Sequence, residues 1–139
     1  MKYIIKTLLF LTAMLTVACG EPTKEELLVG RWQLDRATES EVNSLGAMSE
    51  TELQGYGTLL AEFLEDQLCL MVDRGDTVAY LWKLDGDTAL LLYRNEHVDD
   101  YTLKELTKQR LVYSDSYIHL DSLSGICTEY TYTFEYNRL

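Results

Sequence analysis

Apolar and polar residues alternate along much of this chain, and this alternation restricts its fold more than any other feature. The clearest run is near the C-terminus, where four aromatic residues alternate with glutamate and threonine: Tyr130, Tyr132, Phe134 and Tyr136. Successive side chains of an extended strand point to opposite faces, so the pattern predicts a strand with one apolar face. A sheet built from such strands has to cover that face.

Short turn-forming segments interrupt the alternating runs at nearly even intervals. They occupy residues 65–67, 73–76, 85–87, 95–99, 107–109 and 122–125. Together with an opening strand that contains Trp32 and Leu34, the runs between these turns predict eight sequential antiparallel strands. Eight strands cover their apolar face and remove their exposed edges when they close on themselves. We therefore predict an all-β protein, an eight-stranded antiparallel up-and-down β-barrel.

One or two short helices are predicted to accompany the barrel. Residues 23–26 (Thr-Lys-Glu-Glu) form a capping-box pattern, which favours a short helix that ends before Gly30. Residues 49–52 (Ser-Glu-Thr-Glu) form a second capping box, followed by apolar residues at helical spacing. The segment 39–48 between them is acidic and rich in serine, which is unfavourable for a strand.

The N-terminal residues have the pattern of a targeting segment. Lys2 and Lys6 precede an uncharged run over residues 7–17, which is typical of a secretory signal peptide and too short to cross a bilayer. Residues 15–20 (Leu-Thr-Val-Ala-Cys-Gly) resemble a bacterial lipobox, which implies cleavage before Cys19 and attachment of lipid to its sulfur. The predicted organisation is a signal peptide over 1–18, a lipidated tether over 19–26 and a barrel domain over 27–139.

Composition excludes several functions. Acidic residues outnumber basic residues by 23 to 12, and the formal charge of -11 repels nucleic acid. His97 and His119 are isolated, so no metal site is predicted, and no sequence motif indicates a cofactor. Cys69 and Cys127 either pair or remain free thiols. The chain lacks recognisable nucleophile, phosphate-loop and paired-carboxylate motifs, so we predict that it is not an enzyme.

The run Leu-Val-Gly-Arg-Trp at residues 28–32 resembles the opening Gly-x-Trp signature of lipocalins, and specifically of the lipocalin-like lipoproteins of Gram-negative bacteria. Residues 101–112 resemble their sixth and seventh strands, and Tyr132, Phe134 and Arg138 their closing strand. The resemblance implies that Gly30, Trp32 and Arg138 close one end of the barrel. Gly20 after the lipidated cysteine implies an outer-membrane location, on the periplasmic face or at the cell surface.

Two functions are compatible with such a barrel. In the first, a lipid-anchored binding protein of the cell envelope holds a small hydrophobic ligand between inward aromatic residues. These candidates are Tyr80, Trp82, Tyr130, Tyr132, Phe134 and Tyr136. In the second, the same aromatic residues fill the barrel, and the acidic loops and the segment 39–60 contact a protein partner or inhibit it. Both functions place the protein at a membrane through its lipid anchor.

Overall fold

The computed structural model describes residues 20–56 and 59–139. The predicted signal peptide and Cys19 therefore lie outside the described residues. Within the described part of the chain, no helix has the length and apolar character needed to cross a membrane.

Antiparallel strands dominate the structure. The elements are α1 (Lys24–Leu28), β1 (Gly30–Asn43), β2 (Met48–Glu52), β3 (Leu60–Phe63), β4 (Leu68–Asp73), β5 (Asp76–Asp85), β6 (Ala89–Arg94), β7 (His97–Leu106), β8 (Arg110–Leu120) and β9 (Cys127–Arg138). The order in the sheet is β2-β1-β3-β4-β5-β6-β7-β8-β9, and β9 also pairs with β1. This pairing closes eight strands into a barrel and leaves β2 as an additional strand. The prediction of an eight-stranded antiparallel barrel is confirmed.

The long strand β1 belongs to both the barrel and a second sheet region. Its first four residues pair with β3, and its far half pairs with β2, while β9 pairs with it along almost its whole length. On the other side, β7 pairs with β8 only as far as Ser114. The strands β1, β8 and β9 thus continue beyond the barrel, and β2 pairs with β1 there. We call this region the extension and define it as residues 38–43, 48–52, 115–120 and 127–133.

Two predictions about residues 39–52 are wrong. Residues 39–43 are strand, because they pair with both β2 and β9 despite their acidic composition. Residues 49–52 form part of β2 instead of a second helix. Pairing with β1 outweighs the local capping pattern there, and the guanidinium of Arg36 forms ion pairs with Glu50 at 3.3 Å and with Glu52 at 3.7 Å.

The first helix agrees with its prediction. The hydroxyl of Thr23 accepts a hydrogen bond from the Glu26 backbone N–H at 3.2 Å, and the Glu26 carboxylate accepts one from the Thr23 N–H at 2.9 Å. The capping box is therefore complete. The helix leads directly into β1 and buries Leu28 against the barrel core.

The two cysteines of the described chain are both free. Cys69 is buried on β4, and Cys127 is exposed on β9, which does not pair with β4. Burial raises the pKa of the Cys69 thiol to about 12, so this thiol stays protonated at neutral pH.

Candidate functional site

One end of the barrel is closed by Trp32 and Arg138. The indole Nε1 of Trp32 donates a hydrogen bond to the Leu28 carbonyl at 2.8 Å, and the ring is fully buried. The guanidinium carbon of Arg138 lies 4.3 Å from the centre of that ring, within the range of a cation–π interaction. The same guanidinium donates hydrogen bonds to the carbonyls of Val29 and Leu27. These contacts fix α1 across the end of the barrel.

Gly30 allows this closure. Its φ of +138° is one that residues with a Cβ rarely adopt, and a Cβ at this position would collide with the Arg138 guanidinium. The Gly-x-Trp pattern therefore has a local physical basis, because the glycine leaves room for the arginine that covers the tryptophan.

The barrel interior is filled near the closed end and hollow near the other end, which we call the mouth. Fully buried side chains fill the first half: Leu28, Trp32, Ala61, Phe63, Leu90 and Leu111. Towards the mouth lies a cavity of about 180 Å³, lined by Leu59, Met71, Tyr80, Leu92, Tyr101, Tyr113, Phe134 and Tyr136. The interior is thus intermediate between the two predicted alternatives, an open ligand cavity and a solid core.

Three tyrosines of the cavity wall are in close contact. The Tyr113 and Tyr136 hydroxyl oxygens lie 2.8 Å apart in a hydrogen bond, and the Tyr101 ring centre is 4.8 Å from that of Tyr113. Burial raises the pKa of Tyr113 and of Tyr136 well above the ordinary value. Burial, followed by the negative charges of Asp99 and Asp115, raises the pKa of Tyr101 to about 12. All three hydroxyls therefore remain protonated at neutral pH.

We expect the Tyr113–Tyr136 pair to show strong coupling between substitutions. Tyr113→Phe or Tyr136→Phe alone leaves one buried hydroxyl unpaired and should cost about 1–3 kcal/mol of unfolding free energy. The double substitution removes both hydroxyls and should cost less than the sum of the single changes. Urea unfolding of the four proteins measures this coupling, and additive losses would contradict it.

The structure divides the six predicted cavity residues into three groups. Tyr80, Phe134 and Tyr136 line the cavity. Trp82 is buried near the closed end, where its Nε1 donates a hydrogen bond to the Leu64 carbonyl at 3.0 Å and its ring meets the edge of Phe63. The remaining two, Tyr130 and Tyr132, lie on the extension beyond the mouth.

Sequence reasoning missed several cavity residues, including Tyr101 and Tyr113. Tyr101 alternates with the buried Leu103, and Tyr113 with the buried Leu111, so each strand carried a period-two signal. That signal identifies an inward face, but it does not show how far along the barrel axis a residue lies.

Tyrosine rings also stack on the face of the extension that continues the barrel interior. Tyr117 of β8 and Tyr130 of β9 are direct cross-strand partners, with ring centres 5.1 Å apart and nearly parallel planes. Tyr132 stacks on the same Tyr117 ring at 6.2 Å. We call these three residues the tyrosine stack.

Carboxylates border the tyrosine stack. Glu39 and Asp115 are the cross-strand partners of Tyr132 on its two sides, and Glu41 is the partner of Tyr130. A hydrogen bond to Glu39 is the largest cause that raises the pKa of Tyr132 above its ordinary value. Partial burial, followed by the negative charge of Glu41, raises the pKa of Tyr130. Aromatic and acidic side chains thus share this face.

A larger depression of about 510 Å³ lies beside α1. Its walls include Glu25, Glu26 and Glu65 together with Trp82 and Lys83. Its lining contains three carboxylates and a single aromatic ring, that of Trp82, whereas five aromatic rings line the interior cavity. The interior cavity is therefore the better candidate for a ligand site.

Comparison with known proteins adds no family assignment. No protein-family model matches the chain. No curated protein matches it significantly either. Within the described residues, no group of three or more histidine, cysteine, aspartate or glutamate side chains is placed to hold a metal ion. The barrel, its cavity and the tyrosine stack are therefore the features that bear on function.

Proposed function

We propose that this protein is a lipid-anchored binding protein of the cell envelope, attached to the outer membrane through Cys19, whose lipocalin-like barrel holds a small apolar ligand. The observation that carries the proposal is the aromatic cavity beside the mouth. Fully buried side chains surround Trp32 at the closed end, whereas the mouth half leaves space between converging rings. Apolar walls with a few polar atoms are typical of small-molecule sites.

The cavity volume limits what the barrel holds. Its 180 Å³ equals the space of about six water molecules in the liquid. Pockets for drug-sized ligands have volumes of about 300–1,000 Å³, so this smaller site suits a single ring or a short alkyl chain. A larger ligand would leave part of its body outside, on the extension.

The position of α1 supports an anchor that leaves the mouth accessible. The predicted tether enters α1, which lies at the closed end. The extension projects from the opposite end, and the 14 residues of β1 span about 45 Å between the two. A lipid on Cys19 would therefore hold the closed end near the membrane and leave the mouth facing away from it.

Ligand binding is tested by filling the cavity. We expect 1-hexanol to bind the protein, and we expect Met71→Trp, which places a large ring among the cavity walls, to abolish that binding. Leu81→Trp is the matched control, because Leu81 is 56% exposed and does not line the cavity. Isothermal titration calorimetry measures the affinity of each variant for 1-hexanol, and circular dichroism verifies that each variant folds.

A complementary experiment identifies the natural ligand and the anchor. The protein is purified from its host, and bound molecules are extracted and analysed by mass spectrometry, with Met71→Trp as the reference. A small apolar molecule that is enriched only with the unaltered cavity supports the proposal, as does an acylated N-terminal Cys19 in the intact mass. Equal extracts from both proteins, together with no hexanol binding, would overturn ligand binding, and an unmodified Cys19 would overturn the anchor.

A further inference from the structure

An aromatic path leads from the cavity onto the extension. Phe134 and Tyr136 line the cavity, and the next two inward residues of the same strand, Tyr132 and Tyr130, belong to the tyrosine stack. Residues two apart on a strand are separated by about 6.6 Å. A ligand with a six-carbon chain in the cavity therefore reaches the tyrosine stack with its other end.

Charged residues on the two faces of the sheet differ in their partners. On the outer face, Arg36 is paired with Glu50 and Glu52, and Arg110 is paired with Glu105 and Glu135. On the inner face, Glu39, Glu41 and Asp115 make no ion pair with any residue that the structure describes. The inner face therefore has an excess of negative charge beside the tyrosine stack.

Aromatic rings and carboxylates together favour one class of ligand group. The faces of tyrosine rings attract cations, including quaternary ammonium groups. Stacking covers the facing sides of these three rings, so a cation would contact the ring faces on the outside of the stack. Nearby carboxylates add Coulomb attraction for a cation and repel an anion. A phosphate, sulfate or carboxylate group would meet Glu39, Glu41 and Asp115 without a cation to offset them.

We infer that the ligand is an amphipathic organic cation, whose apolar part occupies the cavity and whose ammonium group lies on the tyrosine stack beside Glu39 and Asp115. This inference rests on the proposed binding function and adds the charge and orientation of the ligand. The volume of the cavity limits the size of the apolar part. The carboxylates of the extension favour a positive charge at the other end of the ligand.

The test compares three probes with the same six-carbon chain: hexyltrimethylammonium, 1-hexanol and hexanesulfonate. Each is titrated calorimetrically at low salt into the host-processed protein in nanodiscs of digalactosyldiacylglycerol, a lipid whose headgroup has neither charge nor ammonium group, with empty nanodiscs as the blank. All titrations are made at the same pH. We expect the ammonium probe to bind about tenfold more tightly than hexanol, and the sulfonate to bind more weakly than hexanol.

Matched variants locate the charged end. Glu39→Gln should weaken binding of the ammonium probe by about fivefold, and Tyr132→Leu by a similar factor. Glu129→Gln is the control, because it removes the same charge from the extension, but the Glu129 side chain belongs to the outer face of β9. It should alter the affinity by less than about twofold. Affinity for hexanol should stay unchanged in all three, which also shows that the cavity is intact.

The outcomes separate this inference from the proposed function. The inference of a cationic ligand is wrong if hexanol binds as tightly as the ammonium probe, or if Glu39→Gln and Glu129→Gln have equal effects on binding. The proposal of an apolar ligand would remain supported in either case. If none of the probes binds, both proposals fail. Binding of oligolysine without binding of hexyltrimethylammonium would overturn the inference in favour of a basic protein segment.

Discussion

Gly30→Ala is expected to destabilise the barrel by about 3–5 kcal/mol, although it adds a single methyl group. The backbone strain of a non-glycine residue at such a φ contributes about 1–3 kcal/mol. The remainder comes from Arg138, whose guanidinium must leave the space that the new Cβ occupies and give up hydrogen bonds to the Leu27 and Val29 carbonyls. Urea unfolding gives the free energy from the midpoint and slope.

Gly75→Ala is the matched control for this experiment. Gly75 also has a positive φ, of +89°, but nothing lies within 4 Å of a Cβ built there. Gly75→Ala should lower the free energy of unfolding by only about 1–2 kcal/mol, because backbone strain is its sole effect. A second comparison places Gly30→Ala in an Arg138→Ala background, where its cost should fall to that of Gly75→Ala. Equal costs for the two glycines in the original protein would show that Arg138 does not constrain Gly30.

Much of the barrel was predictable because apolar residues recur at every second, inward-facing position of its clearest strands. This holds for β9 and for Tyr80, Trp82 and Leu84 of β5, whose turns also contain glycine or aspartate at the required positions. Burial on one side of a sheet enforces this alternation. The strand number and the closure of the barrel follow from it, without knowledge of any individual contact.

The extension was not predictable on the same grounds. Its β1 and β2 segments are largely solvated on both faces, so residues such as Ser40 and Glu50 carry no alternating pattern. Their strand conformation is decided by pairing with a distant part of the chain, as in the pairing of β1 with β9. Local capping signals at residues 49–52 favoured a helix because a local signal contains no information about such a partner.

Bulges limit prediction of the site itself. Simple alternation from Trp32 and Leu34 would turn Arg36 inward. The pairing register shifts between Leu34 and Arg36, however. Ala37 is therefore buried, and Arg36 forms an ion pair with Glu50 on the outer face. A similar shift occurs in β7 after Leu103. A bulge adds one residue and reverses the faces that follow. The position of Glu39 beside Tyr132 depends on the first of these shifts, and no periodicity reveals it.

Trp32→Ala should be the most damaging single truncation at the closed end, at about 3–5 kcal/mol. The ring is completely buried, and its loss leaves a void beneath Arg138 and an unpaired Leu28 carbonyl. Trp32→Phe retains most of the packing and should cost about 1–3 kcal/mol. Leu81→Ala, on an exposed side chain, should change stability by less than about 0.5 kcal/mol. These values are measured by urea unfolding.

The Trp32 variants also separate stability from binding. Trp32 does not line the cavity, which lies towards the opposite end of the barrel. We therefore expect folded Trp32→Phe protein to bind hexanol with unchanged affinity, whereas Met71→Trp should lose binding at nearly unchanged stability. If Trp32→Phe lost binding in proportion to its loss of stability, the two ends would be coupled through the whole sheet. The packed half would then set the shape of the cavity, and the barrel would have to be treated as one cooperative unit for ligand binding.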